Sequence, residues 1–89
     1  MSEEIVAIRD IESVVESEFY FQPGGTTLTI CVLTTVAGFH VTGESACVSP
    51  SNFDKKEGEG LSRKDAIRKL WELEGYLLTN KLHEESKNV

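Results

Sequence analysis

The ten residues FHVTGESACV, at 39–48, hold the side chains best able to react: His40, Glu44, Ser45 and Cys47. A base, a carboxylate and two nucleophiles would suit nucleophilic catalysis if the fold brought them together. The stretch itself predicts a strand, in which successive side chains point to opposite faces. Phe39, Val41, Gly43, Ser45 and Cys47 then share one face, and His40, Thr42, Glu44, Ala46 and Val48 the other. Ser45 and His40 cannot meet within that strand. The string Gly43-Glu44-Ser45-Ala46-Cys47 looks like a nucleophile elbow, but it lacks the final glycine and the sharp strand-to-helix turn. Cys47 reads as a small buried hydrophobe. We therefore assign no catalytic residue and expect no enzyme.

Metal chemistry finds little footing. The soft ligands Cys31, Cys47, His40 and His83 are scattered, without the close pairs of a structural zinc site. No metal and no cofactor are expected. Two cysteines also make a poor disulfide framework.

A second group of residues points to binding. Arg63, Lys64, Arg68 and Lys69 place four bases in seven positions of a chain with net charge −6. One reading is a solvated face paired with the acidic N-terminal segment. The other is a site for an anionic, nucleotide-like small molecule, because arginine forks suit phosphate oxygens. Phe39, Asn52 and Phe53 would supply stacking and base contacts if a neighbouring subunit brought them close.

The elements that would position these residues make an α+β fold. Ser2 to Glu18 reads as an amphipathic helix, with Ile8, Ile11 and Val15 at helical spacing. Phe19-Tyr20-Phe21 is a dense aromatic cluster that could add a third strand. Pro23-Gly24-Gly25 signals a turn. Thr26 to Val36 and Phe39 to Val48 read as an antiparallel hairpin. A two-residue Ala37-Gly38 turn would make paired positions sum to 75. A three-residue loop with Gly38 in a bulge would make them sum to 74. Neither register brings Cys31 and Cys47 close enough for a disulfide. Residues 49–54 read as a turn-rich loop or helix start, and the glycine-containing KKEGEG run as a mobile connection or poor helix. Ser62 to Leu82 reads as a long helix packed on the sheet, with Ser62 and Asp65 resembling a capping box and Trp71 as its anchor. Gly75 inside it suggests close approach of the hairpin or a second subunit. Residues 83–89 read as a frayed tail.

Composition bounds the rest. Eighty-nine residues make one small domain with a limited core, for which homo-oligomerisation is a common remedy. No apolar run approaches the ~18 residues of a membrane span. The acidic balance disfavours general nucleic-acid or anionic-membrane binding.

The stretches PGGTTLTICVLT, GFHVTGESACVSPSNFD and KLWELEGYLL, in that order, carry a resemblance. The chain resembles a family of small tailed-phage proteins named for the gene-49 product of phage N-four and the gene-66 product of phage Sf-six. The resemblance implies a phage origin and action in the host bacterial cytoplasm, and it carries no catalytic residues with it. An accessory protein that works by stoichiometric binding is the expectation. One version is an anti-defence protein that sequesters a nucleotide-type immune signal, by analogy of fold class. The alternative is an inhibitor of a host protein, acting through the acidic helix or a strand edge.

Overall fold

A computed structural model describes residues 8–87, with side chains from Ile11 onward. A short helix α1 (Ile8–Val14) leads directly into strand β1 (Val15–Phe21). Strands β2 (Leu28–Thr35) and β3 (His40–Ala46) follow. A single 3-10 turn at Pro50–Asn52 precedes one long helix, α2 (Lys55–Lys87). The strands form an antiparallel sheet in the order β1-β2-β3.

The expected first helix is therefore too long at its C-terminal end, and its residues 2–7 lie outside the described residues. From Val15 the sequence VESEFYF alternates, and strand pairing outweighs the helical spacing of Ile8, Ile11 and Val15. A register shift between Val15 and Ser17 turns Val15 inward opposite Thr35 and leaves Phe19 and Phe21 facing outward.

The hairpin takes the register in which paired positions sum to 74: Leu28 lies opposite Ala46 and Cys31 opposite Gly43. Gly38 carries φ +87°, a conformation that alanine in a two-residue turn would resist. The Thr35 amide donates to Phe39 O at 2.8 Å and the Gly38 amide to Thr35 O at 2.8 Å. At the other end of β2, the Thr26 amide closes a turn on Pro23 O, with Gly25 at φ +75°. Both cysteines are free.

Helix α2 begins seven residues before Ser62 and includes the whole KKEGEG run. Asp54 caps it. Its carboxylate accepts from the Glu57 amide at 3.2 Å, and its carbonyl accepts the Gly58 amide. Ser62 is no cap: it is buried and donates its hydroxyl to Glu59 O. The helix runs on through His83 to Lys87.

One face of the sheet meets α2. Thr29, Cys31, Leu33 and Thr35 of β2 are buried on that side, together with Val41 and Gly43 of β3. The helix presents Gly58, Ser62, Ala66 and Leu70, spaced four apart. At Gly43 a Cβ would collide with the backbone of Ser62 and Ala66, so strand and helix touch main chain to main chain. Ile11, Val41 and Leu70 form one core cluster, with Val14, Ile67 and Trp71 against it. Cys31, Leu33 and Ala66 form the second. Trp71 thus packs against the cluster that joins α1, β3 and α2. Gly75 has open space where a Cβ would stand, so the hairpin does not approach it.

The glycines divide by their surroundings. Gly43→Ala should cost about 2–3 kcal/mol, because backbone rather than a movable side chain must shift. Gly60→Ala and Gly75→Ala, in open helical positions, should each gain up to about 1 kcal/mol. Urea unfolding of the three variants checks both signs.

Candidate functional site

The basic cluster lies on the first half of α2, where helical spacing turns its members to different neighbours. Arg63 points to the N-terminal elements. Its guanidinium grips Glu12 of α1 with both terminal nitrogens, at 2.6 and 3.0 Å, and donates Nε–H to Glu18 of β1 at 2.9 Å. Glu18 sits beneath the sheet edge because strand alternation turns it to the helix side, opposite Leu33. It also accepts the Tyr20 hydroxyl at 2.9 Å. Hydrogen bonds from Arg63 hold the Glu12 carboxyl below the usual carboxylate range. The Arg63 and Tyr20 hydrogen bonds do the same for Glu18. The two carboxylates in turn push Arg63 upward.

Arg68 and Lys69 are held by a second set of acids. Arg68 reaches Asp65 at 3.0 Å and Glu72 at 3.1 Å. Lys69 reaches Glu44 of β3 at 3.2 Å and Asp65 at 3.8 Å. Asp65 accepts the Glu44 amide at 3.0 Å, and that bond, followed by Arg68, lowers its pKa. Three of the four bases are therefore occupied by carboxylates. Lys64 is exposed, with no ion-pair partner among the described residues.

The aromatic candidates are not gathered around this cluster. Phe39 stands at the hairpin tip, Phe53 lies beside Gly58 before α2, and Asn52 ends the 3-10 turn. Phe39 instead helps line an open groove of about 460 Å³ between the hairpin tip and α2. Val14, Val36, Leu73, Tyr76 and Leu77 line it with Phe39, and Glu74 is its one charged residue.

The reactive-looking strand stays dispersed. His40 pairs its Nδ1 with the Thr34 hydroxyl at 3.1 Å, Ser45 donates to Gly58 O at 3.0 Å, and Cys47 donates its thiol to Ser49 O. Burial pushes the Cys31 thiol up. Among the described residues no three His, Cys, Asp or Glu side chains gather to hold a metal ion.

A third surface joins the aromatic cluster Phe19-Tyr20-Phe21 to a free strand edge. The face of the sheet away from α2 carries Phe19 beside Val32 and Phe21 beside Ile30, with Leu28 next along. Phe19 is 63 % exposed and Phe21 53 %. Among the described residues nothing pairs with the outer edge of β1. The signal was present in the alternation of residues 15–21, which puts Ser17, Phe19 and Phe21 on one side.

The profile of the phage protein (N4 Gp49/phage Sf6 gene 66) family matches residues 6–82, and the chain belongs to that family. None of the curated proteins or solved structures compared with it gives a significant match. Among the described residues no helix is long and apolar enough to cross a membrane.

Arg63→Ala should destabilise the fold by about 1 kcal/mol at neutral pH, a figure reduced for the exposure of Glu12 and Glu18. Both carboxyls titrate below the ordinary value of 4.5 in the folded state. Their contribution is therefore complete above that value and disappears as pH falls through the lowered folded-state values. The gap between parent and variant in urea unfolding should narrow as pH falls below 4.5.

Proposed function

We propose that this phage-family protein acts in the host bacterial cytoplasm as a non-enzymatic accessory protein that binds a host protein stoichiometrically. The surface is the uncovered sheet face and the free edge of β1. The observation that supports this most strongly is the exposure of Phe19 and Phe21 beside Ile30 and Val32 on the side α2 leaves open. An exposed apolar strand edge offers two recognition modes together. Its unpaired amides and carbonyls can extend a sheet across to another chain, and its outward rings can fill pockets there.

Sequestration of a nucleotide-type immune signal, an anti-defence role, is the second reading. Four bases on two turns of α2, with Lys64 unpaired among the described residues, favour it. It requires Arg63, Arg68 or Lys69 to exchange a carboxylate for a phosphate. The paired state of these bases makes it the weaker reading, since breaking Arg63 away also loosens α1 and β1 from α2.

Native mass spectrometry of tagged protein recovered from its infected host separates the two. We expect one host protein in fixed stoichiometry with the parent chain. It should be absent from a Phe19→Ser, Phe21→Ser variant that keeps the parent circular dichroism. A nucleotide mass that is retained by this variant and lost from Arg63→Ala, Arg68→Ala would replace the protein-binding reading with sequestration.

A further inference from the structure

Helix α2 is longer than the sheet it covers. Its 33 residues span about 50 Å at 1.5 Å per residue, whereas the eight residues of β2 span about 27 Å. The molecule is correspondingly drawn out, 59 × 22 × 19 Å. The buried positions of α2 end at Leu70. Beyond them the apolar side continues as Leu73, Leu77, Leu78 and Leu82, of which Leu77 is 58 % exposed. Leu73 and Leu77 form one wall of the groove whose other wall is Val36 and Phe39.

Two charges interrupt this apolar side. Glu74 and Lys81 are seven residues apart, so they lie two turns from each other on one face. Glu74 has no cation at the neighbouring helical positions, which are Leu70, Trp71, Leu77 and Leu78. Neither Glu74 nor Lys81 has an ion-pair partner among the described residues. The same helix laid antiparallel against itself gives Glu74 the cation its own helix lacks, whereas Lys81 has Glu84 and Glu85 one turn on. With a two-fold axis passing between positions 77 and 78, Glu74 of each copy stands opposite Lys81 of the other. The leucines at 77 and 78 then cluster about the axis. The pairing is self-complementary, as a two-fold interface requires, and it forms twice.

We infer that the overhanging half of α2 and the groove beside it are the interface for a second copy of this chain, joined as an antiparallel two-fold dimer. The second copy is favoured as occupant because its own charges complement the face in the correct order. A chain of 89 residues also gains from it the apolar burial its small core lacks. This surface is separate from the sheet face proposed for a host protein, so either assignment can fail alone.

Sedimentation equilibrium of the full-length chain, over a range of concentrations, tests the inference. We expect a dimer. Glu74→Lys should place Lys opposite Lys81, and Lys81→Glu should place Glu opposite Glu74. Each single variant should raise the dimer dissociation constant about tenfold, since two pairs become repulsive together. The double variant Glu74→Lys, Lys81→Glu should return it to near the parent value. Leu77→Glu should give a monomer with unchanged helical circular dichroism. A chain that is monomeric throughout overturns the inference, including one whose groove takes a different protein. So does a dimer that is indifferent to the charge swaps or is lost instead on Phe19→Ser, Phe21→Ser.

Discussion

The fold turns on one contact: the main chain of β3 at Gly43 against the main chain of α2 at Ser62 and Ala66. No side chain separates strand from helix there, so the distance and crossing of the two elements are set by backbone. The rest of the helix conforms to it. Gly58, Ser62 and Ala66 are small because they lie along the same closely packed row, and Leu70 is the first position where a large side chain fits. The close approach also explains why a glycine-containing run is helical. Gly58 is buried over Thr29, where a Cβ would lie 2.6 Å from the threonine hydroxyl oxygen. Its poor helix propensity is outweighed by the packing it permits.

Charge then locks what packing brings near. Arg63 follows Ser62 in the helix and reaches out past it to Glu12 and Glu18, elements separated from it by more than forty residues of chain. Its planar fork suits this, since one guanidinium engages two carboxylates with three bonds. On the opposite side Asp65 accepts the Glu44 amide while Lys69 meets the Glu44 carboxylate, so β3 is tied to α2 twice at the residue next to Gly43. Of the run of bases that stands out in the sequence, Arg63 and Lys69 are the far half of ion pairs made with strands and α1, and Arg68 pairs within the helix. Their individual contributions are modest at the surface. Their value is in register, because only one placement of α2 satisfies Arg63 and Lys69 at once.

The elements that were legible in the sequence are those whose signals are local. The alternation of β2 and β3 and the Pro23-Gly24-Gly25 turn appear as expected, and a long helix lies over the sheet, but of its expected apolar face only Leu70 is buried. The two hairpin registers could be written down but not separated, because the choice rests on the φ of Gly38. The helix start was misplaced because Ser62 followed by Asp65 imitates a cap. The same spacing at Asp54 and Glu57 marks the true start, at the end of the stretch that reads equally as a loop or a helix start, with two glycines after it. Gly58 is excused by its tertiary contact with Thr29, which a single-sequence propensity cannot see. The candidate binding residues suffered likewise. Their types were visible, but which acid holds which base depends on chain crossings.

A one-sided sheet links the small core to the exposed surface. With three strands and one long helix, only Ile11, Cys31, Leu33, Val41, Ala66 and Leu70 are buried apolar residues among those described. The strand face away from α2 and the end of α2 beyond Leu70 have no covering layer among the described residues. Domains commonly bury each apolar face against another element. Here the sequence instead places Phe19, Phe21, Tyr76 and Leu77 on those surfaces, each more than half exposed. The two surfaces also differ in kind. The sheet face is flat, apolar and bounded by an unpaired edge, which suits a partner that can add a strand. The helix face carries opposite charges two turns apart, which suits a copy running the other way. The described elements leave both surfaces open, and that geometric shortage turns binding surfaces into part of the architecture.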